Sequence, residues 1–203
     1  MTNRIAILIS GNGTNMEAIF DRIASGNLDA TVAFVASDND AAVGLRKAAA
    51  RSVTVFSLPY ELRGKREAER VLASLCRERN VEWIVLAGFM RILSAEFISG
   101  FENRIVNIHP ALLPAFSGAH AVRDAWDRGV RLTGVTVHLV DSGVDTGPIL
   151  SQRAVSVLDE DTIETLEERI HATEHIQYWE TLRDLFSGRL EPIKRRVNPR
   201  RTA

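Results

Sequence analysis

The sequence predicts an α/β protein with a Rossmann-like, mostly parallel sheet and helices on both faces. Short apolar runs of strand length alternate with amphipathic helical segments through residues 1–100, which is the pattern of βαβ units. The first run also ends in a glycine-containing loop that leads directly into a helix. Beyond residue 130 the alternation stops, and the pattern predicts an antiparallel strand extension followed by a long C-terminal helix.

The individual elements follow from apolar periodicity and from turn residues, taken in chain order. The predicted strands are 4–9, 31–36, 53–56, 83–87, 105–109, 132–140 and 149–157. The predicted helices are one after residue 15, 41–50, 65–79, a short one capped by Ser94, one ending near Arg128, and one capped by Asp159 and Asp161 that runs to about Phe186. No linker divides the chain, so we expect a single domain over 1–190 and a mobile basic tail over 191–203.

The composition limits the classes of partner. The chain has 203 residues, of which 45% are hydrophobic and 25% are charged, as in ordinary soluble domains. Its formal net charge of −1 gives no long-range attraction for nucleic acid, so an anionic ligand must be held by local geometry. Cys76 is the single cysteine, which excludes an internal disulfide. Without a membrane-length apolar run or a signal-peptide pattern, we expect a cytoplasmic protein that contacts neither membrane nor nucleic acid.

The loop from Ser10 to Asn15, Ser-Gly-Asn-Gly-Thr-Asn, is a candidate anion site. Its glycines let backbone amides approach a phosphate closely, and the start of the following helix adds a positive partial charge. The loop matches neither a Walker sequence nor a full dinucleotide fingerprint. A tight turn that binds nothing therefore stays an alternative.

A second loop, Gly88-Phe-Met-Arg-Ile-Leu93, follows the fourth predicted strand and combines bulky apolar residues with one arginine. Such a loop could form the wall of a pocket for a flat, partly apolar ligand. The alternative is a hydrophobic cover over the sheet, with Arg91 merely exposed.

The stretch Ile105 to Pro114 carries the polar residues on which the functional hypothesis depends. Side chains two apart on a strand share a face, so Asn107 and His109 project together, and Pro110 ends the strand at the histidine. Asp145 lies on a loop after the neighbouring strand, and a carboxylate beside His109 would favour the charged imidazole. Donors beside a carboxylate suit attack by a substrate's own nucleophile on a carbonyl. A capping asparagine and a buried structural histidine are the alternative.

Four motifs together resemble the folate-dependent phosphoribosylglycinamide formyltransferases, over about residues 4–190. They are Ile-Ser-Gly-Asn-Gly-Thr-Asn at 9–15, Leu-Ala-Gly-Phe-Met-Arg-Ile-Leu at 86–93, Asn-Ile-His-Pro-Ala-Leu-Leu-Pro at 107–114 and Asp-Thr-Gly-Pro at 145–148. The resemblance implies formyl transfer from 10-formyltetrahydrofolate to the amine of phosphoribosylglycinamide in purine synthesis, without a metal. It also implies a phosphate-binding half over 1–100 and a catalytic half over 101–190. Whether the chain forms a homodimer is left open.

The same resemblance assigns roles to individual residues. The catalytic residues it implies are Asn107, His109 and Asp145, which we call the trio. The substrate-binding residues are Gly11, Asn12, Gly13, Thr14, Asn15 and Glu174. The folate-binding residues are Phe89, Met90, Arg91, Ile92, Leu93, Asp141 and Val144. The residues expected around the trio are His120, Thr136 and His138.

Three alternatives stay beside this interpretation. Relatives that formylate other amines, or that hydrolyse formyl-folate, share the Asn-x-His and Asp core. The segment His171-x-x-Glu174-His175 has the letters of an inverted zinc-peptidase motif, although only 28 residues follow it to supply another ligand. A non-catalytic phosphosugar-binding domain would keep residues 10–15 but would not need the trio.

Overall fold

The computed structural model describes residues 2–58 and 60–190, with only the backbone of Arg63, and it confirms the predicted fold class. The strands are β1 Asn3–Ile9, β2 Ala30–Ser37, β3 Val55–Ser57, β4 Trp83–Leu86, β5 Ile105–His109, β6 Leu132–Leu139 and β7 Ile149–Ser156. The helices are α1 Thr14–Ala24, α2 Val43–Ala50, α3 Tyr60–Arg63, α4 Lys65–Glu78, α5 Ala95–Ser99, α6 Ala121–Asp127 and α7 Ile163–Phe186.

The strands form one sheet in the order β3-β2-β1-β4-β5-β6-β7. Strands β1 to β5 pair in parallel, whereas β6 pairs antiparallel with both β5 and β7. The order reverses between β1 and β4, and ligands of open α/β sheets bind where such a reversal meets the carboxyl ends of the strands. The fold therefore places the loops after β1, β4 and β5 around one edge.

Apolar side chains cover both faces of the sheet, as predicted. One core contains Ile5, Ile7, Val106 and Ile108 from the sheet, with residues of α1, α2 and α7. The other contains Ala6, Leu8 and Ile105, with residues of α4 and α5. Adjacent residues of β1 and β5 thus point to opposite cores, which is the alternation on which the site prediction depends.

Several boundaries differ from the predictions. Helix α2 begins at Val43 rather than at residue 41, because Asn39 Oδ1 accepts from the Ala41 amide and Ala42 is non-helical. The third strand is displaced to Val55–Ser57, and α3 was not predicted. Helix α7 is capped by Thr162 in a capping box rather than by an aspartate.

Three further predictions concern features outside the sheet itself. The predicted mobile tail over 191–203 lies outside the described residues. Within the described ranges, no helix combines the length and the apolar character that crossing a membrane requires. Ser94 caps α5 as predicted, because its side chain accepts from the Phe97 amide at 3.1 Å.

Candidate active site

A cleft of about 330 Å³ opens at the carboxyl ends of β4 and β5. Depressions of about 540 and 490 Å³ lie elsewhere on the described surface, and neither is lined by a member of the trio. The predicted residues that line the cleft are Phe89, Met90, Arg91, Ile92, Leu93, Asn107, His109, His138, Asp141, Val144 and Asp145. The structure thus brings the trio and all the predicted folate-binding residues together, while residues 11–15 and Glu174 lie outside this cleft.

Asn107 and His109 project from one face of β5 at its carboxyl end. Asn107 Nδ2 lies 3.2 Å from His138 Nε2, and His138 Nδ1 lies 2.8 Å from the Leu139 carbonyl oxygen. Since a carbonyl only accepts, His138 Nδ1 carries a proton, and in the neutral ring Nε2 accepts from Asn107. One amide proton of Asn107 is used in this way, and the other is available to a ligand in the cleft.

His109 is 4% exposed and has an acceptor at each ring nitrogen. Its Nε2 donates to the Phe116 carbonyl oxygen at 2.8 Å, and its Nδ1 lies 3.4 Å from Asp145 Oδ2. A charged imidazole therefore has a partner for both protons. Donation from His109 to a bound carbonyl requires the ligand to replace the Phe116 carbonyl.

Asp145 lies between the two histidines. Its Oδ1 is 3.6 Å from His138 Nε2, and its Oδ2 accepts from the Gly118 amide at 2.8 Å. Burial raises the pKa of Asp145, but the interactions with His138, Gly118 and His109 outweigh burial and hold the pKa below its ordinary value. The site therefore keeps an ionised carboxylate at neutral pH.

The three residues expected around the trio have different positions. His138 contacts two members of the trio, as described above. Thr136 is buried beside the turn that follows β5, where its hydroxyl donates to the Ala111 carbonyl at 2.6 Å and accepts from the Leu113 amide at 3.0 Å. His120 is exposed immediately before α6 and does not line the cleft, so the prediction for this residue is not matched.

The loop after β4 presents apolar side chains to the cleft. Met90 and Ile92 are 67% and 63% exposed, whereas large apolar side chains are usually buried. Val144, on the other side of the cleft, is 46% exposed. Arg91 is directed to Asp38, with Nε 2.7 Å from Oδ2. The cleft therefore has apolar walls and a fixed guanidinium at one end.

The loop of residues 10–15 leads directly into the start of α1. Helix α1 begins after Gly13, which has φ +69° and gives the described helix no side-chain cap. Gly44, at the start of α2, donates its amide to the Gly11 carbonyl at 3.0 Å and packs against Gly13. Since the start of α1 is not capped by a side chain, its first amides are directed to solvent or to a ligand.

Glu174 lies beside this loop rather than beside the trio. It is 4% exposed, and its Oε2 accepts from Asn15 Nδ2 at 3.0 Å and from His171 Nδ1 at 2.9 Å. The Oδ1 atom of Asn15 is buried and has no hydrogen-bond partner among the described residues. The structure thus joins two predicted substrate-binding residues and adds a histidine to them.

Comparisons with known proteins complete the description of the site. The family model described as formyl transferase matches residues 3–182, which is most of the chain. The chain belongs to the formyltransferase family. It is 40% identical over 184 residues to a phosphoribosylglycinamide formyltransferase of Bacillus subtilis (strain 168), across 90% of this chain and 94% of the relative.

This formyltransferase is also similar to part of a longer protein and to a solved structure. It is 41% identical over 189 residues to the trifunctional purine biosynthetic protein adenosine-3 of Gallus gallus, across 93% of this chain but only 19% of that protein. A crystal structure of glycinamide ribonucleotide transformylase 1 from Symbiobacterium toebii superimposes with a TM-score of 0.90 at 41% identity, across 95% of each chain.

The sequence did not identify two residues that shape the site of this formyltransferase. Phe116 adopts φ +54°, a left-handed conformation that is unusual for an aromatic residue, and this conformation accompanies the contact of its carbonyl with His109. The sequence predicts for Gly44 only a place in a helix of small residues. A glycine between two alanine-rich segments was the only available signal for its role, whereas no sequence signal distinguishes Phe116.

The residues of the zinc-peptidase alternative do not converge on a common point. His171 Nδ1 bonds to Glu174, and His175 Nε2 is buried without a hydrogen-bond partner among the described residues. Across the described part of the chain, no three His, Cys, Asp or Glu side chains are grouped so that they could hold a metal ion.

Proposed function

We propose that this protein transfers a formyl group from 10-formyltetrahydrofolate to the amine of phosphoribosylglycinamide in purine biosynthesis. The observation that supports this most strongly is the arrangement of Asn107, His109 and Asp145 at one end of a cleft with apolar walls. An uncommitted amide proton beside an ionised carboxylate suits acyl transfer, in which negative charge develops on an oxygen while an amine loses a proton.

The cleft fits the folate. Its volume of about 330 Å³ lies within the range of small-molecule sites, and the exposed side chains of Met90, Ile92 and Val144 offer apolar contact to a flat ring. Folate bound in this way supplies the formyl carbonyl as the electrophile. In the proposal the loop after β4 and the loop containing Asp141 and Val144 hold the pterin ring from two sides.

The phosphorylated substrate occupies the neighbouring site in this proposal. Amides of Gly11 to Asn15 and the start of α1 hold its phosphate, since that helix start has no side-chain cap. Glu174, which Asn15 and His171 fix in place, accepts from the polar groups between the phosphate and the amine. In the proposal the phosphate-binding half over residues 1–100 holds the phosphate, and the catalytic half over residues 101–190 supplies the trio and Glu174.

The trio then assists a direct transfer. The substrate amine attacks the formyl carbon, so a carbon–nitrogen bond forms as the bond from that carbon to the donor nitrogen breaks. The Asn107 amide donates to the oxygen that becomes negative, and the trio's histidine supports this charge when it is protonated. The attacking amine loses a proton and the donor nitrogen gains one, with Asp145 able to accept a proton directly or through water.

The protein acts on small molecules, without metal, in the cytoplasm, and both a monomer and a homodimer are compatible with a site built from one chain. The zinc-peptidase and the silent phosphosugar-binding alternatives predict no formyl transfer.

The test is to incubate the purified protein with phosphoribosylglycinamide and 10-formyltetrahydrofolate, with and without a chelator, and to identify products by mass. We expect formylated substrate and tetrahydrofolate in equal amounts, and no effect of the chelator. Release of formate without formylated substrate would instead support the hydrolase alternative. If the purified protein contained stoichiometric zinc and lost activity in the chelator, the metal-free mechanism would be contradicted.

A further inference from the structure

Asp38, directly after β2, connects the two loops that the proposed function assigns to different substrates. Its side chain is 6% exposed, and its two carboxylate oxygens have different partners. Oδ1 accepts from the Ser10 hydroxyl at 2.5 Å, and Oδ2 accepts from Arg91 Nε at 2.7 Å. Ser10 begins the phosphate loop, whereas Arg91 belongs to the loop that lines the folate cleft.

The Ser10 hydroxyl completes the connection. Its oxygen accepts from the Met90 amide at 2.8 Å, and because an amide only donates, the hydroxyl proton is free to bond to Asp38. The Ser10 amide also donates to the Gly88 carbonyl at 3.0 Å. Each loop is thus tied to the other directly and also through one buried carboxylate, so a displacement of either loop strains the same set of hydrogen bonds.

The two hydrogen bonds that Asp38 accepts are stronger than an ordinary surface contact. Both involve a charged carboxylate with little access to water, where hydrogen bonds to charges are stronger than neutral ones. Arg91 also contacts Glu61 at 3.3 Å, but Glu61 is 84% exposed, so this second pair is weakened by solvent. Asp38 is therefore the partner that fixes Arg91.

We propose that Asp38 is a positioning residue that couples the two substrate sites, so that the phosphorylated amine bound at residues 10–15 tightens binding of the folate at residues 88–93. This inference rests on the proposed function. Ordering of the phosphate loop fixes Ser10, Ser10 and Asp38 fix Met90 and Arg91, and the folate then binds to a wall that is already ordered. By linkage, the folate tightens binding of the phosphorylated amine by the same factor.

The experiment measures the dissociation constant of folic acid by calorimetry, with and without saturating phosphoribosylglycinamide. In the unaltered protein we expect folic acid to bind about fivefold or more tightly when the second ligand is present, the lower end of typical coupling factors. Asp38→Asn and Ser10→Ala should bring this factor close to one. Glu61→Gln is the matched control, because it removes the charge of the other carboxylate that contacts Arg91 and should keep the factor.

A second readout separates coupling from a loss of structure. Asp38→Asn should raise KM for both substrates while kcat at saturation of both stays within about threefold, since the trio is untouched. If the unaltered protein transfers the formyl group but its coupling factor is one, the coupling is overturned and the proposed function stands. The same conclusion follows if Asp38→Asn has the same coupling factor as the unaltered protein. Absence of any formyl transfer by the unaltered protein would overturn the proposed function and the coupling with it.

Discussion

Asp145 is held by neighbours on several sides, and its own backbone adopts φ +54°, a left-handed conformation that aspartate tolerates better than most residues. The Gly118 amide fixes one oxygen, and the two histidines lie within 3.6 Å of the carboxylate. A side chain held in this way has its charge at a defined point, so removal of that charge without a change of shape is an informative substitution.

Asp145→Asn should lower turnover with little change in the affinity for either substrate. Asparagine keeps the shape of the side chain but removes the carboxylate that can accept a proton from the attacking amine. Steady-state kinetics gives turnover, and calorimetry gives the dissociation constant of each substrate. A loss confined to the dissociation constants would assign Asp145 to binding instead. If turnover did not change, Asp145 would not take part in the reaction.

His171 should make stability depend on pH. The hydrogen bond with Glu174 raises the pKa of His171, against the effect of burial. A histidine with a raised folded-state pKa stabilises the fold fully below its unfolded pKa of about 6.5, and this contribution is lost as pH rises through the folded value. We expect His171→Gln to lower the free energy of unfolding near pH 6 more than at pH 8.

His175 supplies a control of opposite sign on the same helix. Burial is the main cause that lowers the pKa of His175, so its protonation opposes folding as pH falls. Toward acid pH, the free energy of unfolding of His175→Gln should therefore fall less than that of the unaltered protein. Denaturant titrations over this pH range measure both variants. The same pH dependence in His171→Gln and in the unaltered protein would contradict the role of the Glu174 contact.

At the scale of elements, the start of α1 and the start of α2 form one unit around the loop of residues 10–15. A β-carbon on Gly44 would lie 3.1 Å from the Gly11 carbonyl oxygen and 3.3 Å from the Gly13 α-carbon. Only a glycine allows this backbone approach without a shift of the loop. The loop is therefore shaped by a helix that is distant in sequence, which is why its motif alone left a ligand-free turn open.

Gly13→Ala should weaken binding of the phosphorylated substrate much more than binding of the folate. Alanine at φ +69° costs about 1 kcal/mol or more, and its β-carbon would lie 3.2 Å from the Gly44 α-carbon. Gly11→Ala is the matched control for folding, because its β-carbon meets nothing within 4 Å among the described residues. Calorimetry with each ligand separately is the measurement. Equal losses for both ligands in Gly13→Ala would indicate a folding defect rather than a local effect.

For the whole molecule, the sequence predicted those features that depend on local pattern. Alternating apolar runs predicted the sheet, and Pro110 predicted the end of β5 at His109. Contacts between distant segments were not accessible in the same way. The role of Phe116 depends on a backbone conformation, that of Asp38 depends on two loops that meet, and the exposed place of His120 depends on where α6 begins.

Cys76 offers a probe of the stability of the whole fold. It lies on the side of α4 that packs against the sheet and is 1% exposed. Burial raises the pKa of its thiol to about 12. Because the thiolate is the reactive species, we expect iodoacetamide at neutral pH to leave the folded protein unmodified and to label it fully in denaturant. Mass spectrometry measures the labelled fraction. Rapid labelling under native conditions would contradict the burial of α4 against the sheet.

Asn107→Ala tests whether the cleft stabilises negative charge on a formyl oxygen. Removal of one such donor typically lowers turnover by about 10² to 10³. The measurement combines kcat for formyl transfer with the dissociation constants of phosphoribosylglycinamide and folic acid for the variant and the unaltered protein. We expect kcat to fall by about that factor while both dissociation constants stay within about threefold. An unchanged kcat, or a loss confined to the dissociation constants, would contradict stabilisation of that charge by Asn107.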